Sequence, residues 1–286
     1  MKKIIYLIQF LFVSILFIIF KSLGYKLASS FGAFVGSLLG PIFRSKKIIT
    51  NNIKNLNNNI KVSDVENIKN EMWENYGRIL ADYMYIKNFR QSKLDNYLKI
   101  QGQEILEQIK NNKDPVVFIS GHFNNFELMA MEIERSGINL AAIYRPLNNI
   151  FLNKIMERIR KKYICKHQIK KGISGAREII KLYKKGFSIA LMIDQRVSEG
   201  IKLNFFGKPA FTTTIPAQLV KRFDCKIVPI YIERINKFNY KMTINSPLSF
   251  EKNKSIEEIS TDLNIWLEKM ISNKPSQWIW SHNRWK

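Results

Sequence analysis

Cysteine and histidine are scarce in this chain. Its 286 residues include two cysteines and three histidines. Cys165 and Cys225 lack the close spacing that metal ligands have, so we expect neither a disulfide framework nor a zinc site. The composition fits a reduced, cytosol-facing protein that needs no metal and no other cofactor.

Several signatures of hydrolases and nucleotide-binding proteins are absent as well. The sequence has no Gly-x-Ser-x-Gly elbow, which argues against a Ser-His-Asp hydrolase. It has no phosphate-binding Gly-x-x-x-x-Gly-Lys-Ser/Thr loop and no dinucleotide fingerprint. Chemistry on this chain is therefore expected to activate a hydroxyl group of the substrate, or water, without a protein nucleophile.

Acidic residues are half as numerous as basic residues: 23 Asp and Glu against 46 Lys and Arg, for a net charge of +23. Nucleic acid, anionic lipid and an acidic carrier protein are the partners that such an excess could serve. The chain is also rich in Lys, Asn and Ile, which indicates that coding bias accounts for part of this basic excess. No nucleic-acid-binding motif accompanies the charge, so we expect no nucleic acid partner.

What is present at the N-terminus is an apolar run. After Lys2 and Lys3, residues 4–20 carry no charge, and a second apolar segment rich in small residues covers residues 27–43. A cleaved signal peptide would begin in the same way. The length of the first run and the second run behind it favour a retained membrane anchor followed by an interfacial helix, over residues 1–44.

The remainder predicts one α/β domain over residues 45–286, with a helical lead-in at 45–100 and a core at 101–286. In the core, apolar β-branched runs alternate with helical patterns, which is typical of an α/β sandwich with a largely parallel sheet. Predicted strands are 115–120, 139–144, 187–193, 226–233 and 239–245. Predicted helices are 126–136, 150–163, 174–185, 214–223 and 255–272.

The segment Gly-His-Phe-Asn-Asn-Phe-Glu, residues 121–127, follows the first of these strands. It places His122 at a strand end and Glu127 in the first turn of the next helix. Across such a turn Glu127 can fold back and hold the imidazole, which is the arrangement of a general base with an orienting acid. The alternative is a histidine that only caps a turn.

Other candidates lie at strand ends or on the basic helix that follows. Arg145 ends the second strand and could bind phosphate or carboxylate, or form a surface ion pair. Asp194 ends the third strand, where it could converge with His122, pair with an arginine, bind a sugar hydroxyl or cap a helix. Arg158 and Arg160 belong to a helix whose basic face is either solvated or a surface that binds headgroups or a carrier.

The closing Trp278–Trp285 segment could lie at a bilayer interface or seal the domain edge.

Taken in order, these segments resemble the bacterial lipid A biosynthesis acyltransferases, the lauroyl and myristoyl transferases related to glycerolipid acyltransferases. The family's Gly-His-Phe-Gly-Asn-Trp-Glu form corresponds to residues 121–127, with Asn124 in place of a glycine. Its Tyr-Arg-Pro-x-Asn-Asn element corresponds to residues 144–149, and its Asp-Gln element to 194–195. Its Phe-Phe-Gly-x-Pro-Ala-x-Thr loop corresponds to residues 205–212, and its Trp-x-Trp-x-His-x-Arg-Trp ending to 278–285.

The resemblance implies a glycerolipid-acyltransferase-like fold at the cytoplasmic face of the bacterial inner membrane. It implies transfer of a fatty acyl chain from acyl carrier protein to a hydroxyl of a lipid A precursor, with no acyl-enzyme and no metal. His122 and Glu127 would be catalytic; Arg145, Arg158 or Arg160, and Asp194 would bind substrate. The basic surface would suit the phosphates of the precursor and an acidic carrier. Acyl transfer to another glycolipid or glycerolipid, an acyl-CoA donor, and a catalytically inactive membrane-tethered binding protein are the alternatives.

Overall fold

The structure is a computed structural model that describes residues 2–57 and 59–286. It begins with four helices: α1 (Lys2–Leu23), α2 (Tyr25–Phe43), α3 (Lys46–Ile53) and α4 (Val62–Asp82). A 3₁₀ turn at Tyr83–Tyr85 and the short helix α5 (Ile86–Arg90) lead to a second 3₁₀ turn at Asp95–Tyr97. Residues 46–90 are thus mostly helical.

Helices α1 and α2 are each long and apolar enough to cross a membrane. Gly24 separates them with a positive φ of 75°, a conformation that glycine adopts without steric cost. Most of the apolar side chains of α1 are exposed, among them Ile8, Ile15 and Ile18. The two helices therefore present an uncovered apolar surface on one side of the molecule.

Helix α2 packs along α4, which is a polar helix. Gly32 and Gly36 lie directly against Gly77, and Gly40 lies against the ring of Trp73. A Cβ atom at Gly77 would overlap the carbonyl of Gly32, so glycine is what allows the two backbones to approach this closely. Arg78 extends back across the contact and donates to the carbonyl of Ser29 at 3.3 Å. The N-terminal helices are thus joined to the domain by close packing.

The core is a seven-stranded mixed sheet in the order β1-β9-β8-β2-β5-β3-β4. Strands β8, β2, β5, β3 and β4 run in one direction, and β9 and β1 run in the other. A separate hairpin is formed by β6 and β7. The strands are β1 (Leu98–Gln101), β2 (Val117–Ser120), β3 (Leu140–Tyr144), β4 (His167–Lys170), β5 (Ser188–Met192), β6 (Ile201–Phe205), β7 (Lys208–Thr212), β8 (Ile227–Arg234) and β9 (Tyr240–Ile244).

The connecting helices are α6 (Gln103–Asn112), α7 (Glu127–Arg135), α8 (Ile150–Ile159, continued by a π-turn at Arg160–Ile164), α9 (Ile173–Tyr183), α10 (Ile215–Phe223) and α11 (Ile256–Asn273). A capping box fixes the start of α11, where the Ser255 and Glu258 side chains each accept from the other's backbone N–H. All five predicted strands and all five predicted core helices are confirmed.

The sequence does not predict four of the strands. β1 and β4 are short edge strands with mixed polarity, and the β6–β7 hairpin occupies what the sequence presented as a loop. The turn of that hairpin is Phe206-Gly207, and both residues have positive φ. The closing tryptophans are buried, with Trp278 and Trp280 at the core. Asn52 donates to the carbonyl of Trp280 at 2.8 Å, so this segment seals the domain edge, as one of the two interpretations expected.

Candidate active site

The site lies at the carboxyl ends of β2 and β5, which are neighbours in the sheet. Their register pairs Ser120 with Met192, and the pairing continues one step further because Ile193 donates to the carbonyl of Ser120 at 2.9 Å. Parallel strands end at the same edge, so His122 and Asp194 emerge side by side. The convergence that the strand pattern suggested is therefore present.

His122 is held by Asp194 through two contacts. The backbone N–H of His122 donates to Oδ2 at 2.7 Å, and ring atom Nδ1 lies 2.7 Å from Oδ1. Trp278 donates a third hydrogen bond, from Nε1 to Oδ2, at 2.8 Å. Phe126 packs edge-on against the imidazole with ring centroids 4.8 Å apart, so the ring is fixed on both sides.

These contacts determine the chemistry available to the imidazole. Complete burial by itself raises the pKa of Asp194, but the charge of His122 and the hydrogen bonds from His122 and Trp278 outweigh it and lower that pKa below its usual range. Asp194 is therefore an anion that accepts from Nδ1–H. This tautomer leaves Nε2 as the free acceptor, which a general base needs. Gln195 Nε2 lies 3.4 Å from it, and the His122 side chain keeps 20% exposure.

Glu127 does not hold the imidazole in this structure, which corrects the geometry expected from the sequence. Its Oε1 accepts from Arg160 Nε at 2.7 Å and Arg160 Nη2 at 2.5 Å, and also from the Tyr83 hydroxyl. Glu127 is the first residue of α7, and Phe126, one residue earlier, occupies the place beside the ring. Asp194 takes the orienting position instead, whereas the sequence had assigned it to substrate binding.

Of the two candidate arginines on the basic helix, Arg160 is the one that contacts Glu127. It is largely buried, and its guanidinium also lies over the Tyr144 ring at 5.8 Å. Burial alone lowers the pKa of Arg160, but the charge of Glu127 and the phenol of Tyr83 raise it above its usual range, so the cation is permanent. Arg158 is exposed and makes no side-chain hydrogen bond or ion pair within residues 2–57 and 59–286.

The turn between His122 and α7 depends on Asn124. Its φ is 43°, the left-handed region that glycine favours and that asparagine tolerates better than most residues. The side-chain amide of Asn124 contacts Oε1 of Gln277, and its N–H donates to the Gln277 carbonyl at 3.2 Å. Asn124 therefore adopts the left-handed conformation that glycine favours, and its contacts with Gln277 connect the turn to the C-terminal segment.

Arg145 follows β3 and is exposed, away from the Glu127–Arg160 pair. It lines a cleft of about 470 Å³ together with Lys171 and Arg196. Among the described residues, no three His, Cys, Asp or Glu side chains are grouped so that they could hold a metal ion. The candidate site thus combines an oriented imidazole, a buried arginine held by Glu127 and a cationic cleft.

The sequence profile of the bacterial lipid A biosynthesis acyltransferases matches residues 1–286 of the chain. The chain belongs to this family. It is 24% identical over 200 residues to a lipid A biosynthesis acyltransferase of Haemophilus influenzae, a stretch that covers 68% of this chain and 62% of the relative. It is 21% identical over 187 residues to lipid A biosynthesis acyltransferase 2 of Shigella flexneri, which covers 63% and 58%. The matches span about three fifths of the length of these relatives.

Two contacts of the site escaped the sequence. Tyr83, which contacts Glu127, lies in a 3₁₀ turn at the end of the helical lead-in, and nothing in its surroundings sets it apart from a core tyrosine. The sequence predicts that Trp278 lies at a domain edge or a bilayer interface, whereas in the structure its indole N–H donates to Asp194. A lone polar atom on an aromatic ring needs a partner when buried, which is the one signal that could have indicated this contact.

Proposed function

We propose that this protein is a membrane-associated O-acyltransferase that transfers a fatty acyl chain from acyl carrier protein to a hydroxyl of a lipid A precursor. Membership of the family supports the reaction class. The observation that carries the chemistry is the ring of His122, with Nδ1 on buried Asp194 and with Nε2 partly exposed and 3.4 Å from the Gln195 amide. This arrangement serves a base that acts on a substrate hydroxyl and needs no protein nucleophile.

In the proposed reaction, Nε2 of His122 takes the hydroxyl proton while the hydroxyl oxygen attacks the thioester carbonyl carbon. Asp194 stabilises the imidazolium that forms. The carbonyl oxygen becomes an oxyanion, and Arg160, held by Glu127, supplies the positive charge next to it. The carbon–sulfur bond then breaks, and the imidazolium returns its proton to the carrier thiolate. Glu127 acts in this scheme by positioning Arg160.

The location that we propose is the cytoplasmic face of the bacterial inner membrane. The two N-terminal apolar helices support membrane association, because their exposed faces carry apolar side chains that water would not favour. The boundary near residue 44, the relation to glycerolipid acyltransferases and the lauroyl or myristoyl chain length belong to the same proposal.

An acyl-transfer assay tests the proposal. Detergent-solubilised enzyme would be given a panel of acyl carrier protein thioesters and a tetra-acylated lipid A precursor, with mass spectrometry of the product. We expect a gain of one acyl chain that His122→Ala reduces by about 100- to 10,000-fold, the usual contribution of a general base. His167→Ala is the matched control, since His167 lies on edge strand β4 and packs on Phe187.

Two results would contradict the proposal in different ways. Equal turnover by His122→Ala and the wild type would reject His122 as the base. Transfer by the wild type to a glycerolipid, or from acyl-CoA, with none to the lipid A precursor, would keep the acyltransferase chemistry and replace the substrates.

A further inference from the structure

The cleft beside the site collects basic residues that have no acidic partner. It holds about 470 Å³ and is lined by five basic residues and one acidic residue: Arg44, Arg145, Lys171, Arg196, Lys286 and Glu199. Within residues 2–57 and 59–286, none of the five basic side chains lies in an ion pair. Like charges gathered without neutralisation repel one another, so a bound anion would stabilise the cleft.

The position of the cleft follows from the sheet. Three of the basic residues follow the ends of strands that are neighbours in the sheet. Arg196 follows β5, Arg145 follows β3 and Lys171 follows β4. His122 follows β2, the next strand along. With strands ~4.8 Å apart, the point where β3 ends lies ~10 Å from the end of β2. The cleft and His122 thus share one edge, and Gln195 beside Nε2 is the covalent neighbour of Arg196.

Contacts at the wall of the cleft hold Arg196 in place. Its Nε donates to a main-chain oxygen of Lys286 at 2.9 Å, and its guanidinium lies over the Phe211 ring at 5.2 Å. Its backbone N–H donates to Nε2 of His282 at 3.1 Å, and burial lowers the pKa of His282 to about 4. His282 therefore stays neutral at physiological pH, and the positive charge of the cleft comes from arginine and lysine.

The cleft also adjoins the apolar surface of the N-terminal helices. Arg44 directly follows Ile42 and Phe43 at the end of α2, and their exposed fractions are 77% and 67%. If this surface sits in a bilayer, Arg44 lies where the headgroups begin. An anion in the cleft is therefore more readily supplied by a membrane lipid than by a soluble carrier.

We propose that this cleft binds a phosphate monoester on the acceptor lipid and so places the reactive hydroxyl at His122. A phosphate monoester carries nearly two negative charges at neutral pH, and planar guanidinium groups match its oxygens. The separation of the two subsites, ~10 Å, requires the phosphate and the hydroxyl to belong to one molecule with a spacer of that length. The inference rests on the proposed function and names the group by which the acceptor is recognised.

The test crosses two acceptors with three proteins. The acceptors are the tetra-acylated precursor and the same molecule after removal of its phosphates. The proteins are the wild type, the cleft variant Arg145→Gln/Lys171→Gln, and the control variant Lys184→Gln/Lys185→Gln. The control removes two exposed lysines that precede the amino end of β5. We expect removal of phosphate to lower wild-type kcat/KM by about tenfold to a hundredfold, as for hydrogen bonds to charged groups.

The cleft variant should show the same loss on the phosphorylated acceptor and almost no further loss on the dephosphorylated one. The control variant should behave as the wild type does. Equal kcat/KM of the wild type on both acceptors would overturn the inference while leaving the proposed function intact. A rise in KM for acyl carrier protein, with the preference for phosphate unchanged in the cleft variant, would assign the cleft to the donor and overturn it as well.

A binding measurement tests phosphate recognition by the cleft without requiring acyl transfer. Dioleoyl phosphatidic acid, a phosphate monoester, would be titrated in detergent micelles against the wild type and the cleft variant, with phosphatidylcholine and inorganic phosphate as comparison ligands. Saturable binding of phosphatidic acid that the cleft variant weakens at least about tenfold would support the site even if no acyl transfer occurred. Equal binding by the two proteins would overturn it, and competition by inorganic phosphate would show that the headgroup alone is recognised.

Discussion

At the scale of single residues, the two carboxylates of the site have separate tasks. Asp194 accepts from the ring and backbone of His122, and Glu127 accepts from Arg160 and Tyr83. Both are almost fully buried, so each needs its partners to remain an anion. The imidazole and the guanidinium are therefore fixed independently, each by its own carboxylate.

Asp194→Asn is expected to lower kcat by about 100- to 10,000-fold, because an amide cannot stabilise the imidazolium or impose the Nδ1–H tautomer. Trp278→Phe removes only one donor to Asp194, and we expect a loss of about tenfold. Steady-state kinetics in detergent would measure both, with circular dichroism to show that the variants are folded. An Asp194→Asn enzyme with wild-type kcat would contradict the assignment of the orienting acid.

A double-mutant cycle tests the independence of the two pairs. Glu127→Gln and Arg160→Lys share one interaction, so their effects on kcat should fall well short of additive. Asp194→Asn should be close to additive with Arg160→Lys if the imidazole and the guanidinium are fixed separately. Strong coupling between Asp194 and Arg160 would show that the two pairs act as one unit.

At the scale of secondary structure, the contact of α2 with α4 determines how the N-terminus joins the domain. We expect Gly77→Ala to destabilise the protein by about 1 kcal/mol net, since an added Cβ would overlap the Gly32 carbonyl and overpacking costs ~1–3 kcal/mol. The gain of ~1 kcal/mol in helix propensity only partly offsets this cost. Thermal unfolding should show a Tm lower by about 2 °C or more.

Ser37→Ala serves as the control for this prediction, because Ser37 is exposed on α2 and bonds only to the Phe34 carbonyl of its own helix. Its Tm should stay close to that of the wild type. A Gly77→Ala variant as stable as the wild type would mean that α2 can separate from α4 without cost.

The same scale shows which elements the sequence can predict. Strands β2, β5 and β8 are continuous apolar runs because both faces are covered, and such runs are visible without any partner. Strands β1 and β4 lie at the two edges of the sheet, and each has only one buried residue among its four, so they resemble polar loop sequence. The β6–β7 hairpin is not predicted because its turn, Phe206-Gly207, includes one residue of the aromatic pair Phe205-Phe206, which indicates a packed loop.

For the site, the sequence predicted that His122 and Asp194 could meet, because both follow buried parallel strands. It could not predict their contact, because strand order decides which ends are neighbours, and that order depends on packing far along the chain. For the same reason, sequence spacing predicts a contact between Glu127 and His122. In the structure the partner of Glu127 is Arg160, 33 residues later in the chain. Local patterns find the groups, and the topology pairs them.

At the scale of the whole molecule, the exposed apolar surface and the positive charge support the membrane association that we propose. Ile15→Gln on α1 should lower partition into phosphatidylcholine vesicles about three- to tenfold, since part of a buried side chain's ~1.5–3 kcal/mol is lost. Ile265→Gln on α11 is a matched control, with 58% exposure against 57% for Ile15. Equal losses in both variants would show that α1 does not insert.

The net charge of +23 leads to a prediction about the donor. Opposite charges speed encounter with an acidic carrier protein, and salt screens that attraction over a Debye length of ~10 Å at 0.1 M. We expect kcat/KM for acyl carrier protein thioester to fall about tenfold between ~20 and ~300 mM NaCl, with kcat at saturation unchanged. An uncharged acyl-pantetheine donor should show no such fall, because it gains nothing from the field. The same salt dependence for both donors would place the effect in the acceptor or the membrane and remove the support that charge gives to a carrier partner.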